Sequence, residues 1–335
     1  MSSSSEPTPA DIARVDASLS AAAPAAPASR VVLGIVLAFS AFAIFAFSDA
    51  SVKMIEGRIP PYESAFFGAV FSLVALPFLM RPNDRMSDIF RTQDRRMWFI
   101  RFIAYPLGVM GSVTAFTHLT MAEAFALIFL QPAFVTLMSV LFLKEAVGLK
   151  RWSAVLLGFI GVLIVLRPGF RELSIGHFGA LMAGLGGAIA IITFRAAPKG
   201  EKKISLFGAG IVGAIVLCGL AMLPGFRMPV GEEWVLLALY GLFAAFANVL
   251  LMYAAFHAPA AAIAPIQYSQ MLWGLVLGRF LFGDVVDLPM LVGIVLIVGS
   301  GLLTLGGASG ASAGHLRLHL PRRLAGRFAR RRAVG

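Results

Sequence analysis

Hydrophobic runs of about 20 residues recur along most of the chain, separated by short polar stretches. An α-helix needs about 20 apolar residues to cross the hydrocarbon core of a bilayer. The pattern therefore predicts an all-α integral membrane protein with ten transmembrane helices. The ten runs are 31–52, 62–80, 98–117, 121–143, 152–167, 178–195, 204–223, 234–255, 259–282 and 289–306.

The composition agrees with this pattern. The chain has 335 residues, of which 59% are hydrophobic and 13% charged, whereas soluble domains average about half apolar and about a quarter charged. A Ser/Ala/Pro-rich stretch, 1–30, precedes the first run, and a basic stretch, 307–335, follows the last. We expect 1–30 to be a disordered cytoplasmic tail, because it holds too few apolar residues to form a core.

The distribution of basic residues predicts the orientation. The net charge of +11 would by itself suggest nucleic-acid binding, but 21 of the 28 Lys and Arg residues fall on one side of the predicted membrane and five on the other. The remaining two, Arg101 and Arg279, lie inside segments and are expected to extend to the surface. The positive-inside rule places both termini in the cytoplasm. We expect the C-terminal tail to contact anionic lipids rather than nucleic acid.

The two halves of the chain resemble each other. An offset of 139 residues carries His118 onto His257, Gln131 onto Gln270 and Glu145 onto Asp284. The first five segments thus match the last five. Because five crossings end on the side opposite to where they began, the second repeat enters the membrane in the opposite direction. The sequence predicts inverted repeats, 31–167 and 168–306, with a transport site near the midplane between them.

Two stretches resemble the EamA-type exporters and permeases of the drug/metabolite transporter superfamily. The first, 122–145, contains Gln131 followed by Pro132, and the second, 258–284, contains Tyr268 and Trp273. Residues 47–53 also look like the branch with S-adenosylmethionine-type and riboflavin-type permeases. Gly68 and Ala69 stand where that branch often has a basic residue early in its second helix. The resemblance implies a ten-helix inverted repeat, cytoplasmic termini, a central cavity and alternating access for small organic solutes.

Two amides are the first candidates for substrate binding. Gln131 and Gln270 lie near the middle of their segments, at equivalent positions of the repeat. An unpaired amide in hydrocarbon costs several kcal/mol, so both must face protein or a wet cavity. Two interpretations stay open: the amides line the cavity, or they form hydrogen bonds that only hold helices together.

Five further residues complete the candidate substrate site. The Trp273 ring shares a helix face with Gln270 and could stack on a flat or cationic substrate, or only pack. Asp49 is expected to form a surface ion pair with Lys53, four residues on. Because no carboxylate is then expected at mid-depth, we predict weak dependence on a proton gradient. The other candidates are Tyr268, Asn248 and Tyr105.

These observations predict a secondary transporter of the inner membrane that moves a small organic metabolite, such as an amino acid, an S-adenosylmethionine-like or a vitamin-like solute. The alternatives are a solute channel and a multipass enzyme acting on a lipid-linked substrate. An enzyme would need clustered acids, histidines or metal ligands in the membrane, so no catalytic residue, cofactor or metal is expected. The expected partners are the substrate and membrane lipids. The sequence does not determine the oligomeric state, and a homodimer is one alternative.

Overall fold

A computed structural model of the protein describes residues 28–80, 84–145, 147–167, 172–198 and 200–314, and these residues form helices and loops without a β-strand. The predicted tails, apart from 28–30 and 307–314, lie outside the described residues. The helices group into ten consecutive rods, several of them interrupted. Rods 1 to 10 are α1 (Ala28–Lys53); α2 (Pro61–Ser72) with α3 (Leu76–Leu79); α4 (Arg95–His118); α5 (Met121–Ile128) with α6 (Gln131–Leu141); α7 (Leu149–Leu166); α8 (Ile175–Ala196); α9 (Lys203–Gly213) with α10 (Gly219–Met222); α11 (Glu232–His257); α12 (Ala260–Ile263) with α13 (Ser269–Phe282); and α14 (Leu288–Gly314).

The rods have the length and surface of membrane-crossing helices. In the described part of the chain, seven of them are long and apolar enough to cross a bilayer, and rods 5 and 10 contain the shorter apolar helices Trp152–Leu166 and Leu288–Leu303. Large apolar side chains such as Leu156 and Phe280 point away from the protein, as lipid-facing residues do. The predicted all-α, multi-pass class is thus confirmed, and each predicted segment corresponds to one rod. Rods 1 and 10 extend a few residues into the predicted tails.

The packing of the rods follows a two-fold pattern. Rod 1 packs along rod 8, rod 3 along rod 6 and rod 5 along rod 10. Each pair is antiparallel: for example, Gly34 near the start of rod 1 lies against Ala258 after rod 8, whereas Ser48 near the end of rod 1 contacts Tyr240 near the start of rod 8. Exchanging each rod with the one five places away turns the 1–8 pair into the 6–3 pair and leaves the 5–10 pair unchanged. This exchange is expected of two halves related by an inverted repeat.

Successive rods therefore alternate in direction, and their ends lie on two sides. The side on which rod 1 begins is called here the N-terminal side. It carries the loops after rods 2, 4, 6 and 8. The opposite side carries the loops after rods 1, 3, 5, 7 and 9.

Glycines allow the antiparallel pairs to approach closely. A Cβ atom added at Gly111 of rod 3 would lie 2.5 Å from the carbonyl oxygen of Gly179 in rod 6. One added at Gly161 of rod 5 would lie 2.8 Å from the carbonyl oxygen of Gly293 in rod 10. Such backbone contacts drive helix association in membranes, where the surrounding lipid is as apolar as the side chains.

Replacement of Gly111 by leucine should therefore disrupt the 3–6 pair. We expect Gly111→Leu to reduce the yield of monodisperse protein and its thermal unfolding temperature, because overpacking costs about 1–3 kcal/mol or more. The matched control is Gly299→Leu, since a Cβ at Gly299 meets no atom within 4 Å. Size-exclusion profiles and unfolding curves in detergent measure both variants, and equal behaviour of the two would contradict this account of the packing.

Two equivalent rods are interrupted next to the predicted amides. Rod 4 breaks at Phe129 and Leu130, directly before Gln131 and Pro132, and rod 9 contains a 3-10 turn at Ala264–Tyr268. A proline within a helix lacks a donor and clashes with the preceding turn. Gln131 and Gln270 consequently lie in the first turns of α6 and α13. The N-terminus of each half-helix carries a partial positive charge.

Candidate functional site

The central contact joins the two halves of the protein. Gln270 Nε2 in rod 9 donates a hydrogen bond of 2.9 Å to Asp49 Oδ2 in rod 1. Both residues are partly exposed although they lie within helices. Asp49 thus contacts a side chain in the first turn of α13.

The predicted ion pair between Asp49 and Lys53 is not formed. Lys53 Nζ instead donates a hydrogen bond of 2.6 Å to the carbonyl oxygen of Leu119, and it lies 5.1 Å from the centre of the Phe282 ring. Lys53 thus binds a backbone carbonyl after rod 3, while the carboxylate of Asp49 accepts a hydrogen bond from an amide of the other half. The expectation that Asp49 belongs to a surface pair is wrong for this reason.

Gln131 has different surroundings from its counterpart Gln270. A Cβ atom added at Gly187 of rod 6 would lie 2.8 Å from Gln131 Oε1. Gln131 makes no side-chain hydrogen bond to any residue that the structure describes. The two amides are equivalent in sequence, but only Gln270 faces a carboxylate. The centre of the molecule is therefore chemically asymmetric.

Two tyrosines complete what we call the central polar group, Asp49, Gln270, Tyr105 and Tyr240. Tyr240 of rod 8 lies near both Asp49 and Tyr105. Its ring packs against Gly68 of rod 2, and the Tyr105 ring packs against a glycine of rod 7 in the same way. Tyr240 is not among the candidates identified from the sequence. The one signal for it is Gly68, because a glycine within a helix leaves room for a large side chain from a neighbouring helix.

The remaining candidates lie elsewhere. The Trp273 ring packs 5.7 Å from the ring of Phe39, and Tyr268 is buried with its ring 5.5 Å from that of Phe129. Asn248 Nδ2 donates to a carbonyl oxygen of its own helix. Among the described residues, none of the three hydrogen-bonds to the central polar group, and their role in substrate binding stays a prediction.

Arg101 departs from its expected position. It was expected to reach the surface, yet the residue is only 4% exposed. Its Nε donates to the carbonyl oxygen of Leu206 at 2.6 Å, and its Nη1 donates to the carbonyl oxygen of Ala190 at 2.9 Å and to Thr193 Oγ1 at 3.1 Å. Arg279, by contrast, is exposed. The prediction for Arg101 is wrong because carbonyls of rods 6 and 7 bind the guanidinium.

Ionic contacts join the halves on the N-terminal side. Lys202, which precedes rod 7, lies 2.5 Å from Asp88 Oδ2 and 3.5 Å from Asp84 Oδ1, both in the loop after rod 2. We call these three residues the N-side latch. The Lys202 ammonium, aided by the Arg85 backbone N–H, holds the pKa of the Asp88 carboxyl below its usual value.

The opposite side carries a corresponding set. Arg58, after rod 1, forms an ion pair of 2.7 Å with Glu232 at the start of rod 8. Arg227 binds the buried Glu233 at 3.1 Å, and its backbone N–H donates to Glu63 Oε1 at 3.3 Å. We call these five residues the opposite latch. Both latches connect the first half with the second.

The N-side latch should withstand moderate acid. A carboxylate whose pKa is lowered in the folded protein stabilises it above its unfolded pKa of about 3.9, and this contribution is lost only as the pH falls through the lower folded value. Hydrogen exchange of 84–94, corrected for intrinsic rates, should therefore show equal protection at about pH 5 and about pH 8. Lys202→Met should lose this protection, whereas the exposed control Lys150→Met should keep it. Protection that disappears in wild type at about pH 5 would contradict the latch.

Ten apolar rods in two interlocking halves, with interrupted rods at a polar centre, define a multi-pass membrane transport protein. The chain belongs to the EamA-like transporter family, whose pattern matches residues 32–167 and 174–306. The family consists of transporters and not of enzymes, so the multipass-enzyme alternative does not apply.

Several bacterial transporters are similar to this chain over most of their length. A riboflavin transporter of Rhizobium johnstonii is 29% identical over 279 residues, covering 82% of this chain and 91% of the relative. An S-adenosylmethionine uptake transporter of Rickettsia felis is 26% identical over 253 residues, covering 75% and 85%. An uncharacterised transporter of Helicobacter pylori is 26% identical over 285 residues, covering 82% and 95%. A crystal structure with 16% identity and a TM-score of 0.53 covers 82% of this chain and 96% of its own, and supports the fold.

Proposed function

We propose that this protein carries a small organic metabolite across the inner membrane by alternating access, with both termini in the cytoplasm. The observation that carries the proposal is the hydrogen bond between Asp49 and Gln270. It places a carboxylate from one half against the first turn of an interrupted helix from the other. Secondary transporters bind their substrates at such places, where half-helix ends and polar groups meet near the midplane.

The central polar group favours a substrate with an aromatic or cationic part. Asp49 offers negative charge, Gln270 offers an amide, and Tyr105 and Tyr240 offer ring faces and hydroxyls. Cations and flat rings bind well to such a combination of carboxylate and aromatic groups. The named relatives transport riboflavin and S-adenosylmethionine, so we propose a vitamin-like, S-adenosylmethionine-like or amino-acid substrate.

The two latches support a carrier rather than a channel. The N-side latch and the opposite latch connect the halves on the two sides of the centre. Opening of one latch while the other stays closed would expose the central polar group to one side only. We propose that the halves rock against each other in this way.

A transport assay tests the proposal. Purified protein in liposomes is offered labelled S-adenosylmethionine, riboflavin and amino acids one at a time, with protein-free liposomes as the control. We expect saturable uptake of at least one of them. Flux that rises linearly with concentration would favour the channel, and absence of flux for every compound would contradict the proposed substrate class.

Two further expectations belong to this proposal. The basic C-terminal tail would hold the protein's cytoplasmic side on anionic lipid, and two copies would form a homodimer. Residues 315–335 lie outside the described part of the chain. Flotation of the full chain and of a chain ending at 314 with anionic or neutral vesicles, together with light scattering in detergent, measures both expectations.

A further inference from the structure

Arg101 is a buried cation whose described partners are all neutral. It lies in rod 3 and is 4% exposed. Three of its hydrogen bonds go to two carbonyl oxygens and a hydroxyl, contributed by rods 6 and 7. The centre of the Phe194 ring lies 4.1 Å from its Cζ atom. Within the described part of the chain, no carboxylate lies within ion-pair distance of Arg101.

A buried charge without a counter-ion is costly. An ionised side chain that is taken out of water loses several kcal/mol of hydration free energy, and hydrogen bonds to carbonyl groups offset this loss only in part. Ionisable groups within membrane-spanning segments pair with one another or with backbone carbonyls, and they mark substrate and ion pathways. The cost at Arg101 would fall if an anion entered the site.

One edge of the guanidinium is available for such an anion. Nε and Nη1 are occupied by their carbonyl and hydroxyl acceptors. Nη2 donates no hydrogen bond to any described residue, and it is not among the unpartnered atoms that protein encloses completely. The planar fork suits a carboxylate or phosphate oxygen, and a charge-assisted hydrogen bond to it is about twice as strong as a neutral one.

Arg101 lies one helical turn from a member of the central polar group. Tyr105 is one helical turn beyond Arg101, on the same face of α4. Tyr105 in turn neighbours Tyr240, which neighbours Asp49. Two tyrosines therefore lie between a positive charge near the N-terminal side and the negative charge of Asp49.

We propose that Arg101 binds the anionic group of the transported substrate, a carboxylate or a phosphate, which accepts a hydrogen bond from Nη2. This inference rests on the proposed transport function and deepens it. Arg101 and Asp49 together provide two binding groups of opposite charge for the substrate. A substrate that carries an anionic group at one end and a cationic or aromatic group at the other could bind Arg101 with the first and the central polar group with the second.

The test compares ligands that differ only in the anionic group. Binding of the full-length purified protein is measured with S-adenosylmethionine against its decarboxylated analogue, and with riboflavin 5′-phosphate against riboflavin. Wild type should bind the anionic member of at least one pair about tenfold or more tightly, as expected for one charge-assisted hydrogen bond. Arg101→Gln should lose this preference while it binds the other member within about threefold of wild type, a difference below 1 kcal/mol.

Two variants separate binding from structure. Arg279→Gln removes the other intramembrane arginine, which is exposed, and should keep the preference. Arg101→Lys retains the charge without the planar fork and should keep part of it. Should Arg101→Gln not fold, acetate and inorganic phosphate are used with wild type, where they should compete with the anionic member of a pair and not with its analogue.

The outcomes are distinguishable. Equal weakening of both members by Arg101→Gln, or absence of competition by the small anions, would show that Arg101 only holds rods 3, 6 and 7 together and would overturn the inference. Binding of a pair by wild type without preference for its anionic member would also overturn it and leave the transport function standing. Binding of neither pair by wild type would contradict both this inference and the proposed S-adenosylmethionine-like and vitamin-like substrates, whereas saturable amino-acid uptake would leave the transport function standing.

Discussion

Asp49→Asn should reduce transport by about tenfold or more. The substitution keeps the size of the side chain and leaves an oxygen that can accept the hydrogen bond from Gln270. It removes the negative charge, and hydrogen bonds to a charged partner contribute about 1.5–3 kcal/mol. A loss of this size in substrate binding corresponds to at least a tenfold change in affinity. The initial rate and the half-saturating concentration of uptake in liposomes measure the effect.

The matched control for this substitution is Asp94→Asn. Asp94 lies outside the central polar group and caps the start of α4 through the backbone N–H groups of Arg96 and Met97. Asparagine caps helices about as well as aspartate, so this variant should transport like wild type. Wild-type rates and affinity in Asp49→Asn would show that the charge at Asp49 takes no part in transport.

The same assay addresses coupling to protons. The sequence predicts weak dependence on a proton gradient, because Asp49 was expected at the surface with Lys53. The structure instead brings Asp49 to an amide of rod 9. Accumulation that an uncoupler abolishes, and that Asp49→Asn lacks, would contradict that prediction and make Asp49 the coupling residue.

Cross-linking of either latch should stop transport reversibly. The alternating mechanism requires each latch to open in turn, so a covalent link across one of them traps the halves. Cysteine pairs at Arg58 with Glu232, and at Asp84 with Lys202, are introduced in a Cys218→Ala background, because Cys218 is the single native cysteine. A reversible bis-thiosulfonate reagent should abolish uptake through either pair, and a reductant should restore it.

The control for cross-linking is a pair within one half. Lys150 and Ser153 are both exposed near the start of α7, and a link between cysteines at these positions should leave uptake unchanged. Full transport with both latches linked at once would rule out rocking of the halves. Loss of transport in the control pair would show that the reagent, and not the link, is responsible.

The rods could be predicted from the sequence because each one needs enough apolar residues of its own to cross the bilayer. A run of about 20 apolar residues is a local feature, and the 139-residue offset compares such runs directly. The ends were less certain: rod 1 begins at Ala28 instead of 31, and rod 10 continues to Gly314 instead of ending at 306. Nothing in the apolar pattern distinguishes a helix that ends at the membrane surface from one that continues beyond it.

The site was only partly predictable because its contacts join distant parts of the chain. Gln131 and Gln270 were found by their matching positions, but only the folded protein shows Gly187 opposite the first and Asp49 opposite the second. The local spacing of Asp49 and Lys53 favoured a pair that the packing does not form. The partners of Arg101 are mostly backbone carbonyls, which any residue provides and which therefore leave no trace in a sequence.

The most direct test of alternating access is counterflow. Liposomes containing the protein are loaded with an excess of an unlabelled compound that showed saturable uptake, and the entry of a trace of the labelled compound is followed. A carrier that rocks around one site should accumulate label transiently above its external concentration, and Asp49→Asn should abolish this accumulation. Entry of label at the same rate with and without internal substrate, never exceeding the external concentration, would contradict a carrier and favour a channel.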